Sequence, residues 1–191
     1  METVKPGKLV IISGPSGAGK STVLKQVLVN SALPLELSVS ATTRQPRPGE
    51  TDGVDYRFLS EKEFFRRREN DEFLEWKEVF SCGDYYGTLT KSVAAGLTAG
   101  KWVVLEIDVE GAMTVLERHP DAITIFLHPG SDEELERRLR DRGTETEESI
   151  TRRLDVARRE MAYLDKYKHE VVNNTVDQAV EDICKILTSG E

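Results

Sequence analysis

A layered α/β fold on a parallel central sheet, carrying one inserted lobe and a short lid, is what the sequence predicts, on three observations. Short apolar runs rich in branched residues alternate with helical patterns, a glycine-rich turn joins the first run to the first helix, and one long stretch lacks that rhythm. Apolar runs without polar alternation belong to strands covered on both faces, and strand-helix repetition implies parallel strands with right-handed crossovers. At 191 residues, 38% hydrophobic and 31% charged, the chain suits one globular unit.

The first run is "LVIIS", Leu9 to Ser13, followed by the helical pattern "KSTVLKQVLVN". From Leu35 to about Thr98 the chain is charged and rich in turns and aromatics, which marks an insertion expected to move as its own lobe. The rhythm then resumes: "WVVLEID" precedes "VEGAMTVLERH", "AITIFL" precedes "SDEELERRLRDR", and "HEVVN" precedes "VDQAVEDICKIL". The irregular "RGTETEES", Arg142 to Ser149, joins two arginine-rich helices and suits a lid.

Composition excludes several classes. No apolar run approaches the roughly 20 residues of a membrane helix, and "METVKPGKLVIIS" lacks a secretory signal, so the expected location is the cytoplasm. The two cysteines, Cys82 and Cys184, lie far apart without a ligand pattern and read as free thiols. A net charge of −8 argues against a broad nucleic-acid surface, so any anion must be met by a local basic cluster. His119, His128 and His169 read as surface or strand-edge residues. Arg66 to Arg68, Arg137, Arg140 and Arg152 read as solvated charges.

One local cluster sits in the glycine-rich turn. Gly14, Pro15, Ser16, Gly17, Ala18, Gly19, Lys20 and Ser21 follow the P-loop pattern, placed after an apolar strand and opening a helix. The glycines let backbone N–H groups close on phosphate, and the helix N-terminus favours the negative charge. Lys20 is expected on the β- and γ-phosphates and Ser21 in the Mg²⁺ sphere. Glu106 and Asp108, two apart at a strand end, share a face; Asp108 suits water-mediated Mg²⁺ binding or ligand contact, or else a helix cap.

A second cluster lies in "SVSATTRQPRPGETDGVDY". Arg44 and Arg47 offer forked donors for phosphate oxygens, Pro46 and Pro48 stiffen their turn, and Tyr56, Tyr86 and Thr88 add hydroxyls, together a monophosphate site. Arg138 and Arg142, four apart on one helix face, and Arg153 on the next helix would stabilise a transferring phosphoryl group on lid closure.

The ordered motifs "SGPSGAGKST", "SVSATTRQPRPGE", "VDYRF", "FLEW", "GDYYGT", "LEIDVEGA" and "RGTETEESI" closely resemble guanylate kinase along nearly the whole chain. The resemblance implies a three-layer P-loop kinase core at 1–34 and 99–191, a mixed α/β GMP-binding insertion at about 35–98, and a lid at about 138–155. It implies transfer of the γ-phosphoryl group of Mg·ATP to GMP, with ATP held by the loop through Thr22 and by Asn173. It places Ser40, Arg44, Arg47, Tyr56 and Tyr86 at the GMP phosphate and Glu75, Thr88 and Asp108 at guanine. A carboxylate at Glu75 matches the N1–H and N2–H₂ donors of guanine and leaves adenine unmatched. Glu106 stands where the family commonly has aspartate. The rivals are a non-catalytic binding module of the same fold and a kinase with another phosphate acceptor. The sequence leaves oligomeric state open.

Overall fold

The structure, a computed structural model, describes residues 7–79, 83–141 and 146–189. Its core is a five-stranded sheet of β1 (Leu9–Ser13), β2 (Leu35–Leu37), β7 (Trp102–Glu106), β8 (Ile123–His128) and β9 (His169–Val172). The order is β2-β7-β1-β8-β9 and every pairing is parallel, with β1 at the centre. Alternate residues of β1 feed two different cores, which makes the three layers. Val10 and Ile12 pack with α1 (Lys20–Asn30) and α7 (Val176–Ser189) through Val23, Leu24, Val27, Val180, Ile183 and Leu187. Leu9 and Ile11 pack with α3 (Thr90–Thr98) and α4 (Val109–Arg118) through Val93, Val109, Ala112 and Val115. Each buried branched side chain contributes about 1.5–3 kcal/mol, so β1 is anchored from both faces.

The second sheet has four short strands in the order β4-β3-β6-β5: β3 (Ala41–Thr42), β4 (Arg57–Phe58), β5 (Phe73–Val79) and β6 (Asp84–Leu89). It pairs mostly antiparallel and is backed by α2 (Glu61–Glu69). Ser60 caps α2 by accepting from the Glu63 N–H, with acids in its first turn and arginines in its last, matching the helix dipole. Phe64 is fully buried and stacks on Phe73 with ring centroids 4.5 Å apart. This lobe has its own small apolar cluster of Ala41, Phe64, Phe73 and Leu89.

Both expected edges of the insertion move inward. Leu35–Leu37 pairs with β7 in the core sheet, and α3 sends Val93 into the core beneath it. Three residues are too few to show a period, and the helix carries only Val93 and Gly96 buried, so neither element announces its partner locally. "WVVLEID" also stops early as a strand, because Asp108 caps α4 by accepting from the Gly111 N–H at 2.8 Å.

Two helices complete the fold. α5 (Asp132–Asp141) and α6 (Glu147–Met161) share an apolar seam of Leu135, Leu139, Ile150, Leu154 and Ala157, separate from the core clusters. Thr146 caps α6 through the Ser149 N–H. The connection expected to form the lid tip, with Arg142, lies outside the described residues.

Candidate active site

The glycine-rich turn runs from β1 into α1 as a closed loop. Gly14 has φ +142°, and a Cβ there would meet the Leu127 carbonyl oxygen at 1.9 Å, so strand β8 leaves room only for glycine. Gly19, the residue before α1, has φ +89°, and a Cβ would meet Asn173 Nδ2 at 2.6 Å. Lys20 Nζ donates to the carbonyls of Gly14 at 2.6 Å and Pro15 at 3.1 Å, folding over the loop it follows. Burial lowers its pKa, against the pull of Glu106, Glu160 and Asp108. Ser21 Oγ donates to Glu106 Oε1 at 2.6 Å, so the carboxylate beside Ser21 is Glu106 and not Asp108.

α5, α6 and the end of β9 grip the same loop. Arg153 donates to Ser16 Oγ at 2.6 Å, and Arg138 donates to the Asn173 carbonyl at 2.6 Å and the Ala18 carbonyl at 3.4 Å. Asn173, 2% exposed, donates from Nδ2 to the Ala18 carbonyl at 2.7 Å. It lines a shallow depression with Gly17, Gly19, Thr22 and Arg138 on the outer side of the loop.

Across a cleft of about 720 Å³ stands the second sheet. Its walls include Ser16, Lys20 and Ser21 on the loop side and Ser40, Tyr56, Glu75 and Tyr86 on the lobe side, with Glu106, Asp108 and Arg153 between. Arg44 Nε donates to the Tyr86 hydroxyl at 2.9 Å, and its fork meets Glu50 at 2.8 and 3.0 Å. Arg44 also lies over the Tyr56 ring, 5.4 Å from its centroid. Glu50 further accepts from the Arg47 backbone N–H at 2.6 Å, while the Arg47 residue itself is exposed. Glu50 thus ties the proline-rich turn to Arg44, a role the arginine pattern alone did not disclose.

Glu75 and Thr88 are cross-strand partners on β5 and β6, and the Thr88 hydroxyl donates to Glu75 Oε1 at 2.6 Å. At 8% exposure, with Asp108 nearby, the Glu75 carboxyl is pushed up to about 7, burial outweighing the Thr88 hydroxyl. Asp108 uses Oδ1 to cap α4 and sets Oδ2 3.2 Å from Lys77 Nζ, so the cap and the cleft wall are one residue. Lys77 also pairs with Glu110 at 2.6 Å. Two positions beyond Glu75 on one strand face, it is a residue that spacing alone makes legible.

His128 departs from the surface reading: it is 5% exposed, with Nε2 2.9 Å from Glu170 Oε1 and Nδ1 accepting from the Gly130 N–H. Arg137 and Arg140 are exposed and paired with acids of their own helix, as expected of solvated charges. Among the described residues no cluster of three or more His, Cys, Asp or Glu side chains is arranged to hold a metal by itself.

A phosphate loop on the central strand of a parallel sheet, facing a second lobe across a polar cleft, defines a P-loop kinase fold. A family model described as guanylate kinase matches residues 6–190. The guanylate kinase of Rhodopirellula baltica is 63% identical over 187 residues, covering 97% of this chain and 90% of that protein. That of Caldanaerobacter subterraneus is 50% identical over 187 residues, covering 98% of this chain and 89% of that protein. The crystal structure of guanylate kinase from Anaplasma phagocytophilum superposes with a TM-score of 0.76 at 32% identity, covering 96% of this chain and 86% of that one. The chain belongs to the guanylate kinase family.

Proposed function

We propose a division of labour for the phosphotransfer from ATP to GMP that family membership assigns to this chain. The loop from Gly14 to Thr22 and Lys20 take the ATP phosphates, with Asn173 toward the adenine. Ser40, Arg44, Arg47, Tyr56 and Tyr86 hold the GMP phosphate; Glu75, Thr88 and Asp108 hold guanine. Arg138, Arg142 and Arg153 meet the transferring group. The observation that carries this reading is the single cleft whose walls come from the loop on one side and from Glu75 and Tyr86 on the other.

Chemically, a phosphate oxygen of GMP forms the new bond to the γ-phosphorus as the bond to the ADP oxygen breaks. That phosphate is already largely ionised at neutral pH, its second pKa being about 6, so no general base is required. Alignment of two anions and neutralisation of their charge supply the catalysis. Arg153 already touches the loop at Ser16, which supports its place beside the γ-phosphate. Glu50 preorganises Arg44 and exchanges part of that fork for the GMP phosphate when it enters. Ser21 and Glu106 form an oxygen-only pair that would hold a hard cation, with Asp108 as a further candidate oxygen donor. A Mg²⁺ ion held by these residues would supply charge neutralisation at the phosphates.

The separate apolar clusters of the small lobe and of α5 with α6 support a core, acceptor lobe and lid that move as units to exclude water. No helix among the described residues is long and apolar enough to cross a membrane, and the cytoplasm is the proposed location. The net charge of −8 supports small-molecule substrates and no nucleic-acid partner.

The test is ADP formation from Mg·ATP with GMP, AMP, CMP and UMP run in parallel. Rapid turnover with GMP alone is expected. Equal turnover with AMP would break the guanine assignment, and folded protein that binds GMP without turnover would mark a binding module instead.

A further inference from the structure

Ser16 of the phosphate loop is approached twice by α6. Arg153 donates to its hydroxyl, and Glu160, seven residues later and so two turns along the same helix face, faces it from the wall of the same cleft. Glu160 lines the cleft together with Gly14, Ser16 and Lys20. Of the charged groups acting on Lys20, Glu106 acts most strongly, then Glu160, then Asp108. The other two are already engaged, Glu106 by the Ser21 hydroxyl and Asp108 by the Gly111 N–H and Lys77. Glu160 Oε2, by contrast, is buried with no hydrogen-bond partner among the described residues. Burial pushes the Glu160 carboxyl up overall, with Asp108 adding to it and Lys20 and the Ser16 N–H opposing it.

We propose that Glu160 is a built-in competitor for the phosphate cradle, a carboxylate that α6 delivers to the Ser16 N–H and Lys20 that nucleotide phosphates must also use. With nucleotide absent it balances Lys20 and lets α6 rest against the loop. With nucleotide bound it lies beside the polyphosphate as a like charge, weakening affinity and easing ADP release. The same helix therefore carries an attractive group and a repulsive one, Arg153 and Glu160, which sets nucleotide affinity at an intermediate value. This rests on the reading that the loop holds the phosphates of ATP.

The experiment is calorimetric binding of ADP and, separately, of GMP to the full chain and to its Glu160→Gln and Glu160→Asp variants. Removing one charge from the cleft wall tightens ADP binding by about tenfold in Glu160→Gln, the effect of a like charge roughly 12 Å from the phosphates at an effective dielectric near 20. The GMP dissociation constant is expected to stay unchanged. Glu160→Asp keeps the charge and is expected to bind ADP like the parent chain. The gap between Gln and parent narrows as salt is raised toward 1 M, where the screening length is about 3 Å. Glu160→Ala, which cannot bond Ser16, is expected to tighten ADP binding in the same direction. ADP affinity that is unchanged or weaker in both neutral variants overturns the proposal. A parent chain that fails to bind ADP at all would instead overturn the reading of the loop.

Discussion

The two sides of the cleft are built by opposite means. The side proposed for ATP is a run of consecutive residues, Gly14 to Thr22, set on the central strand of the large sheet and made largely of backbone donors. Its shape is enforced by β8, whose Leu127 carbonyl leaves space only for Gly14. The side proposed for GMP is made of side chains gathered from Ser40 to Asp108, most of them on short strands over a cluster of Ala41, Phe64, Phe73 and Leu89. Local sequence and a deep core make the first cradle rigid; the second depends on a thin core holding distant residues in register. Affinity for a polyphosphate needs only a fixed nest of donors, whereas choosing one base needs side chains, and side chains need a scaffold of their own.

Three experiments bear on that contrast, the largest effect first. Phe64→Ala removes the centre of the small cluster and is expected to cost about 3–5 kcal/mol in thermal or denaturant unfolding. GMP binding weakens with it while ADP binding holds. Equal loss at both sites would show that the cradles are not independently supported. Next, Glu75→Gln replaces an acceptor by a group that cannot take both guanine donors. It is expected to lower kcat/KM for GMP about a hundredfold, within the 1–3 kcal/mol or more of an unmatched buried polar group. The KM for ATP stays the same. Stability at pH 8 rises in this variant, because the buried charge is gone.

The third effect is smaller and follows from the same carboxyl. An unfolded glutamate titrates near 4.3, and Glu75 in the fold is pushed up to about 7. Its protonated form is therefore the one folding favours: the contribution is fully present below about pH 4 and lost as pH rises through about 7. Guanine recognition has the opposite sign, since only the carboxylate accepts two hydrogen bonds. Guanosine binding, which avoids the titration of the GMP phosphate, is expected to weaken up to tenfold per pH unit below about 7. A flat profile in the parent chain, or an unchanged one in Glu75→Gln, would remove Glu75 from the base contact.

The legible parts were those whose physics is local. β1 and α1 could be bounded from "LVIIS" and "KSTVLKQVLVN" because strand, turn and helix signals fall within a few residues of one another. The core strands could be found because burial on both faces removes polar alternation. Leu35–Leu37 reads as lobe because three residues carry no period, and its place is set only by pairing with β7 more than sixty positions on. His128 reads as a surface or strand-edge residue because nothing beside it in the sequence shows that Glu170 on β9, 42 positions away, meets its ring.

By itself, then, the sequence determined the glycine-rich turn, the parallel core and the residue types on both sides of the cleft, since these depend on residue type and short-range spacing. Only the tertiary structure decided that Ser21 meets Glu106, that Glu50 restrains Arg44, and that Glu160 faces the nucleotide loop. Those pairs join residues on separate elements or across a turn, and which donor faces which acceptor there is set by how the helices, turns and sheets pack, which no stretch of adjacent residues encodes.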